Sequence, residues 1–156
     1  MDIQSGGRQL LIHGLALVLA GLVWGFFVPL TPYPRLALTA HIEFGLNGLL
    51  FIALAVPLLT LRHNVGIRSV RVMILAAWLT WALVLSEVAN AWWGTNQILP
   101  LAAKQAGAGG GEPWQELILK LTHIVGGLGL AIAWALLLVG FLKKESAMKA
   151  DGSSGG

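Results

Sequence analysis

Among the polar side chains that interrupt the apolar stretches of this sequence, six are candidates for chemistry, at positions where charged and amide groups are costly. They are His41, Glu43, Asn47, Glu87, Asn90 and His123. Such groups usually face the interior of a helix bundle or line a functional site. An imidazole can bind a metal ion, a buried carboxyl can carry a proton, and an amide can orient a substrate oxygen. These residues are therefore the candidates for catalysis or cofactor binding.

The spacing of His41, Gly45 and Gly48 places all three on one face of a helix. An imidazole above two glycines leaves a flat wall without side chains, which would suit a planar cofactor bound through His41. Two glycines also follow His123, which makes that histidine a second candidate for cofactor binding. The alternative is that the glycines only let neighbouring helices approach closely.

Carboxyl and amide groups recur together on two of the predicted helices. Glu43 and Asn47 are four residues apart, and Glu87 and Asn90 are three apart, so each pair shares a helix face. At 1.5 Å per residue, these groups and His123 lie within about 16 Å of the same membrane face. A single site assembled from several helices requires such a common depth. Alternatively, the two glutamates are simply protonated or paired with histidines.

The composition indicates that these groups lie within a membrane. Of 156 residues, 56% are hydrophobic and only 11% are charged, whereas a soluble domain carries about 25% charged residues. Four stretches reach the roughly 20 residues that a helix needs to cross a bilayer, at about 10–30, 36–61, 72–93 and 117–142. The sequence thus predicts an all-α integral membrane four-helix bundle, with one domain at 1–146 and a disordered tail at 147–156.

Lysine and arginine are distributed unequally between the two sides of the predicted bundle. Seven lie on the side of the termini (Arg8, Arg62, Arg68, Arg71, Lys143, Lys144, Lys149) and three on the other (Arg35, Lys104, Lys120). Because basic residues concentrate in cytoplasmic loops, both termini are predicted to lie inside. Their single, scattered positions argue against nucleic-acid binding. The sequence also lacks cysteine, a phosphate-binding loop and an HExxH motif, which argues against thiolate, nucleotide and zincin chemistry.

Residues 34–48 resemble a family of bacterial membrane isomerases, the hydroxylaminobenzene mutases and styrene oxide isomerases. The shared core is Ala40-His41, five intervening residues, and then Asn47-Gly48. Further segments are similar to the mutase branch: Ala89-Asn90, residues 99–111 and residues 114–116. The likeness covers most of residues 10–142.

The resemblance implies a homotrimer of four-helix subunits that binds haem b in a bacterial inner membrane. In styrene oxide isomerases the matching histidine is the axial haem ligand and the matching asparagine positions the substrate, which implies these roles for His41 and Asn47. Those isomerases also use a tyrosine on the third helix, where this chain has none in residues 89–94. Its only tyrosine, Tyr33, lies in the first loop. This departure favours the mutase reaction.

Together these observations predict a haem-dependent isomerase whose small apolar aromatic substrate, hydroxylaminobenzene, arrives from the lipid and becomes 2-aminophenol. Glu43 or Glu87 would carry the proton, with Asn90 beside them. Conversion of an aryl epoxide to an aldehyde is the alternative within the family. Two other classes stay open: a haem electron carrier ligated by His41 and His123, and a small proton-coupled exporter.

Overall fold

The protein folds into helices joined by short connections. A computed structural model describes the backbone of residues 2–153 and the side chains of residues 2–143. The elements are α1 (Ile3–Gly25), a 3₁₀ turn (Val28–Leu30), α2 (Pro34–Thr60), α3 (Ile67–Trp93), α4 (Pro100–Ala106) and α5 (Pro113–Ser153). The described residues contain no strand, and the all-α prediction is confirmed.

Four of these helices are long and apolar enough to cross a membrane: α1, α2, α3 and residues 113–143 of α5. They contain between 23 and 31 residues, which at 1.5 Å per residue exceeds the roughly 30 Å of a hydrocarbon core. The four predicted spans are thus confirmed, and the chain fits a multi-pass membrane protein. The seven residues of α4 are too few to span, and this helix lies in the connection between α3 and α5.

Local sequence signals begin and end the helices. Proline opens α2, α4 and α5, at a position where its missing N–H removes no hydrogen bond. Gly94 and Gly107 end α3 and α4 with φ angles of 65° and 70°, which glycine adopts without strain. The first helix begins earlier than predicted, because Asp2 accepts a hydrogen bond of 2.7 Å from the N–H of Ser5. It ends at Gly25, five residues before the predicted boundary.

The last helix is longer than the predicted span. Helix α5 continues through Ser153, into the segment for which we predicted a disordered tail. The final three residues of that segment, 154–156, lie outside the described residues.

The long helices pack as two tight pairs, α1 with α2 and α3 with α5. Helix α3 also contacts both α2 and α1, whereas the direct contact between α2 and α5 is slight. Leu17, Phe51 and Met73 are among the buried side chains where α1, α2 and α3 meet. Helix α5 therefore attaches to the bundle mainly through α3 and leaves most of its surface exposed.

Glycines bring α1 and α2 close together. A Cβ atom added at Gly14 would lie 2.8 Å from the carbonyl oxygen of Gly48, and one added at Gly48 would lie 2.8 Å from that of Gly14. A Cβ added at Gly21 would lie 2.8 Å from the Cβ of Phe44. These glycines let two backbones approach in the way that small residues do in membrane helix pairs.

We expect Gly48→Ala to destabilise the protein by about 1–3 kcal/mol, because the added methyl group pushes α1 away from α2. Gly45→Ala on the same helix is the matched control, since an added Cβ there meets no atom within 4 Å. Unfolding by a denaturing detergent titrated into mild detergent micelles measures both variants. Equal stability of the two would contradict the close contact between α1 and α2.

Candidate active site

A carboxyl group and an imidazole meet between α3 and α5. Glu87 is fully buried, and its Oε1 lies 2.6 Å from Nε2 of His123. The Nδ1–H of His123 donates to the carbonyl oxygen of Leu119 at 2.8 Å, which leaves Nε2 for Glu87. Two lone pairs would repel at this distance, so one proton lies between Nε2 and Oε1. The other oxygen of Glu87, Oε2, is buried and has no hydrogen-bond partner among the described residues.

A second polar pair lies on α2. The Nδ2 group of Asn47 donates to Oε2 of Glu43 at 2.7 Å and to the Glu43 carbonyl oxygen at 2.9 Å. The carboxyl of Glu43 is near enough to interact electrostatically with both Glu87 and His123. The structure therefore pairs Glu43 with Asn47 on α2, and Glu87 on α3 with His123 on α5.

Asn90, the other polar candidate on α3, stabilises the end of that helix. Its Oδ1 accepts hydrogen bonds from the N–H of Thr95 at 2.9 Å and from the Thr95 hydroxyl at 2.7 Å. Its Nδ2 is buried without a partner in the described part of the chain. Thr95 was not among the predicted site residues, because a hydroxyl that caps a helix from five residues away has no sequence signature.

The α3–α5 loop, residues 94–112, is held by the buried carboxylate of Glu116. Its Oε1 accepts the N–H of Asn96 at 2.8 Å and that of Gly111 at 3.1 Å, and its Oε2 accepts the N–H of Gln97 at 3.2 Å. Backbone amides from both ends of the loop thus converge on one carboxylate in the first turn of α5, where negative charge is favoured. Because Glu116 lies two helical turns before His123, this carboxylate holds the loop at the end of the bundle nearer to His123.

His41 lies on a different flank of α2 from Glu43. Its Nδ1–H donates to the carbonyl oxygen of Gly21 in α1 at 2.8 Å. The ring packs against Gly25, where an added Cβ would lie 3.1 Å from Cε1. The predicted flat wall is wrong at Gly48, because Gly14 and Val18 of α1 fill the space beside it. Only Gly45 remains open next to the imidazole.

The two histidines that could ligate one haem do not face each other within the chain. His41 bonds to α1, whereas Nε2 of His123 contacts Glu87 between α3 and α5. The pairing of His41 with His123 that an electron carrier requires is therefore absent from the described residues. These residues also contain no group of three histidine, aspartate or glutamate side chains that could hold a metal ion.

Comparison with known proteins agrees with the resemblance noted from residues 34–48. The family model described as styrene oxide isomerase matches residues 7–142, which include nearly all of the four long apolar stretches. Hydroxylaminobenzene mutase HabB from Ectopseudomonas oleovorans is 31% identical over 150 residues, covering 96% of this chain and 89% of the mutase. No solved structure gives a significant match.

We expect Glu116→Gln to loosen the α3–α5 loop, because an amide keeps one acceptor oxygen and turns a donor toward the remaining N–H group. Hydrogen exchange at Asn96, Gln97 and Gly111 should accelerate by about tenfold or more, since hydrogen bonds to a charged group are worth about 1.5–3 kcal/mol. Glu112→Gln, at an exposed neighbouring position, is the control. Unchanged exchange in Glu116→Gln would show that other contacts hold the loop.

Proposed function

The chain belongs to the styrene oxide isomerase family and is an isomerase, and we propose that it converts hydroxylaminobenzene to 2-aminophenol within the membrane. The substrate is proposed from the similarity to hydroxylaminobenzene mutase HabB over 96% of the chain. The observation that carries the proposal is the buried Glu87–His123 pair between two apolar helices, together with the Glu43–Asn47 pair on α2. A small aryl substrate dissolves in lipid and can reach such a site sideways.

The proposed rearrangement conserves every atom and requires no net electrons. The N–O bond breaks, and a C–O bond forms at the ring carbon next to the one that carries nitrogen. That ring carbon loses a hydrogen, and nitrogen gains one. The departing oxygen needs a proton donor or a Lewis acid, and the ring carbon needs a base. The reaction therefore calls for one group that holds a proton beside one that can accept a proton.

The polar groups between α2, α3 and α5 supply these functions. The Glu87–His123 pair holds one proton between Nε2 and Oε1, and the unpartnered Oε2 of Glu87 is the base for the ring proton. Both hydrogens of the Asn47 amide are directed at Glu43, so its Oδ1 is oriented to accept a hydrogen bond from the substrate. Glu43 acts by holding that amide in place.

The surroundings of His41 fit an axial haem ligand, and haem b is the cofactor we propose. Because Nδ1–H donates to Gly21, Nε2 carries the lone pair that iron requires, and a backbone carbonyl is a usual partner for the distal nitrogen of such a ligand. The open position at Gly45 leaves room beside the ring. When bound, ferric haem would supply a Lewis acid for the substrate oxygen.

A homotrimer would complete this site. The open position at Gly45 beside His41 would be covered by a different surface of the next subunit. Contacts between unlike faces generate a ring when the rotation closes, and the resemblance to the family implies three subunits. We also propose a bacterial inner membrane with both termini inside, from the excess of basic residues on that side.

A second candidate is the isomerisation of a styrene-oxide-type epoxide to an aryl acetaldehyde, which the description of the family model favours. Tyr33 packs its ring against Gly94, where an added Cβ would lie 3.1 Å from the phenol oxygen. A phenol is therefore present at the end of α3, although α3 itself contains no tyrosine. Assaying the two substrates side by side separates the candidates, since the true substrate has the higher kcat/KM.

We expect the purified protein to show a Soret band that His41→Ala reduces by about tenfold or more, because the iron loses its protein ligand. Formation of 2-aminophenol should be lost in parallel. His63→Ala, which removes a histidine from the connection between α2 and α3, is the matched control. A colourless wild-type protein, or a Soret band of equal intensity in His41→Ala, would remove the haem proposal.

We expect Glu87→Gln to lower kcat by about 10²–10⁴ with an unchanged Soret band, because the amide keeps the shape but cannot carry the proton. Glu112→Gln, an exposed carboxyl in the α3–α5 loop, should retain wild-type kcat. Stopped-flow measurement of product formation at saturating substrate gives both values. Wild-type kcat in Glu87→Gln would exclude this carboxyl as the proton carrier.

A further inference from the structure

The slight contact between α2 and α5 leaves a groove of about 410 Å³ on the side of the bundle. This α2–α5 groove is lined by Leu50, Gly127, Leu130, Ala131 and Trp134. A second space of about 360 Å³ continues past Trp134 toward Phe141. The first volume lies at the small end of the roughly 300–1,000 Å³ that small-molecule sites occupy. Its lining is apolar except for one indole N–H.

The groove begins one helical turn from the polar site. Leu50 follows Asn47 by three residues on α2, and Gly127 follows His123 by four residues on α5. Residues at these spacings are neighbours on the same helix face. The end of a bound molecule that lies nearest Leu50 and Gly127 would therefore be close to Asn47 and His123.

Two adjacent glycines on α5 differ in what surrounds them. A Cβ added at Gly126 would lie 2.8 Å from a side-chain carbon of Leu83, so close packing on α3 explains this glycine. An added Cβ at Gly127 would meet no atom within 4 Å, so helix packing within the chain does not explain it. At the other end of the groove, Nε1 of Trp134 is buried and has no partner among the described residues.

We infer that the α2–α5 groove is the subsite for the aryl ring and the lateral path by which the substrate enters from lipid. The inference rests on the proposed function and identifies its substrate class: a single apolar ring with one polar substituent directed at Asn47 and His123. Gly127 leaves the space for the ring, and the indole of Trp134 separates this space from the one that continues toward Phe141. These two residues thereby limit the size of the substrate.

Gly127→Leu tests the inference, because it fills the groove without meeting other atoms at its Cβ. We expect kcat/KM for hydroxylaminobenzene to fall by about tenfold or more, mainly through KM, with the Soret band unchanged. Ala135→Leu adds the same kind of side chain to an exposed face of α5 outside the groove and should leave kcat/KM unaltered. Wild-type KM in Gly127→Leu would overturn the inference.

Photolabelling with a phenyl diazirine in lipid nanodiscs provides a readout independent of turnover. Mass spectrometry should find label at Leu50, Ala131 or Trp134 that excess nitrobenzene, an unreactive analogue, suppresses in wild type and in Ala135→Leu. Gly127→Leu should lack this competed label. Label that nitrobenzene does not suppress would mean that the groove holds lipid chains, and the inference would fail.

Trp134→Ala tests the same groove in the opposite direction. The enlarged groove should improve kcat/KM for a para-tert-butyl analogue relative to hydroxylaminobenzene by about tenfold. An unchanged ratio would count against Trp134 as the limit on size.

The proposed function and the groove inference can fail separately. If wild type isomerises neither hydroxylaminobenzene nor an aryl epoxide yet shows the competed label, the proposed function fails while the groove still binds aryl rings. If it isomerises them without competed label, only the groove inference fails.

Discussion

Successive residues of an α-helix are rotated by about 100°, so residues two positions apart point in nearly opposite directions. His41 and Glu43 follow this rule, and the organisation of the site depends on it. The imidazole lies against α1, whereas the carboxyl bonds to Asn47 and interacts electrostatically with Glu87 and His123. A single rigid helix therefore connects the proposed cofactor ligand to the groups that would handle the proton. Any shift of α2 along its axis would move both by the same distance.

Helix α5 is held in register by polar contacts as well as by packing. The 2.6 Å contact of Glu87 with His123 is accompanied by a 2.7 Å hydrogen bond between Ser86 and Thr122. A buried carboxyl left without its partner costs several kcal/mol, so these contacts strongly favour one position of α5 against α3. The contacts all lie on the α3 side of the helix. They hold α5 in place while its side toward α2 stays open.

The sequence predicted the helices well because the requirement to cross a membrane depends on composition and length alone. It also predicted the pairing of Glu43 with Asn47, since helical spacing can be counted along the chain, and it offered pairing with a histidine as one alternative for Glu87. It could not identify the neighbour that each face of α2 meets. For this reason the wall predicted at Gly48 is wrong: the helical face was deduced correctly, but α1 occupies it.

The α3–α5 loop shows a second limit of reasoning from sequence. Glu116 was predicted only as part of a segment similar to the mutase branch, whereas in the structure its carboxylate binds three backbone N–H groups. Such an interaction depends on the path of the loop. Residues 107–111, four of which are glycine, do not determine that path by themselves. The carboxylate at the start of α5 favours that path, because it accepts hydrogen bonds from both ends of the loop, and hydrogen bonds to a charged group are the stronger ones.

The contrast between Gly126 and Gly127 connects packing to function. Membrane helices associate through close van der Waals contact, and small residues at an interface normally serve that purpose. Gly126 does so against α3, and Gly14, Gly21 and Gly48 do so between α1 and α2. A bundle optimised only for packing would either bring α5 equally close to α2 or fill the space between them with a larger side chain at position 127. The space beside Gly127 lies one helical turn from His123. The place where α5 does not pack against α2 is therefore the place where a substrate would need to lie.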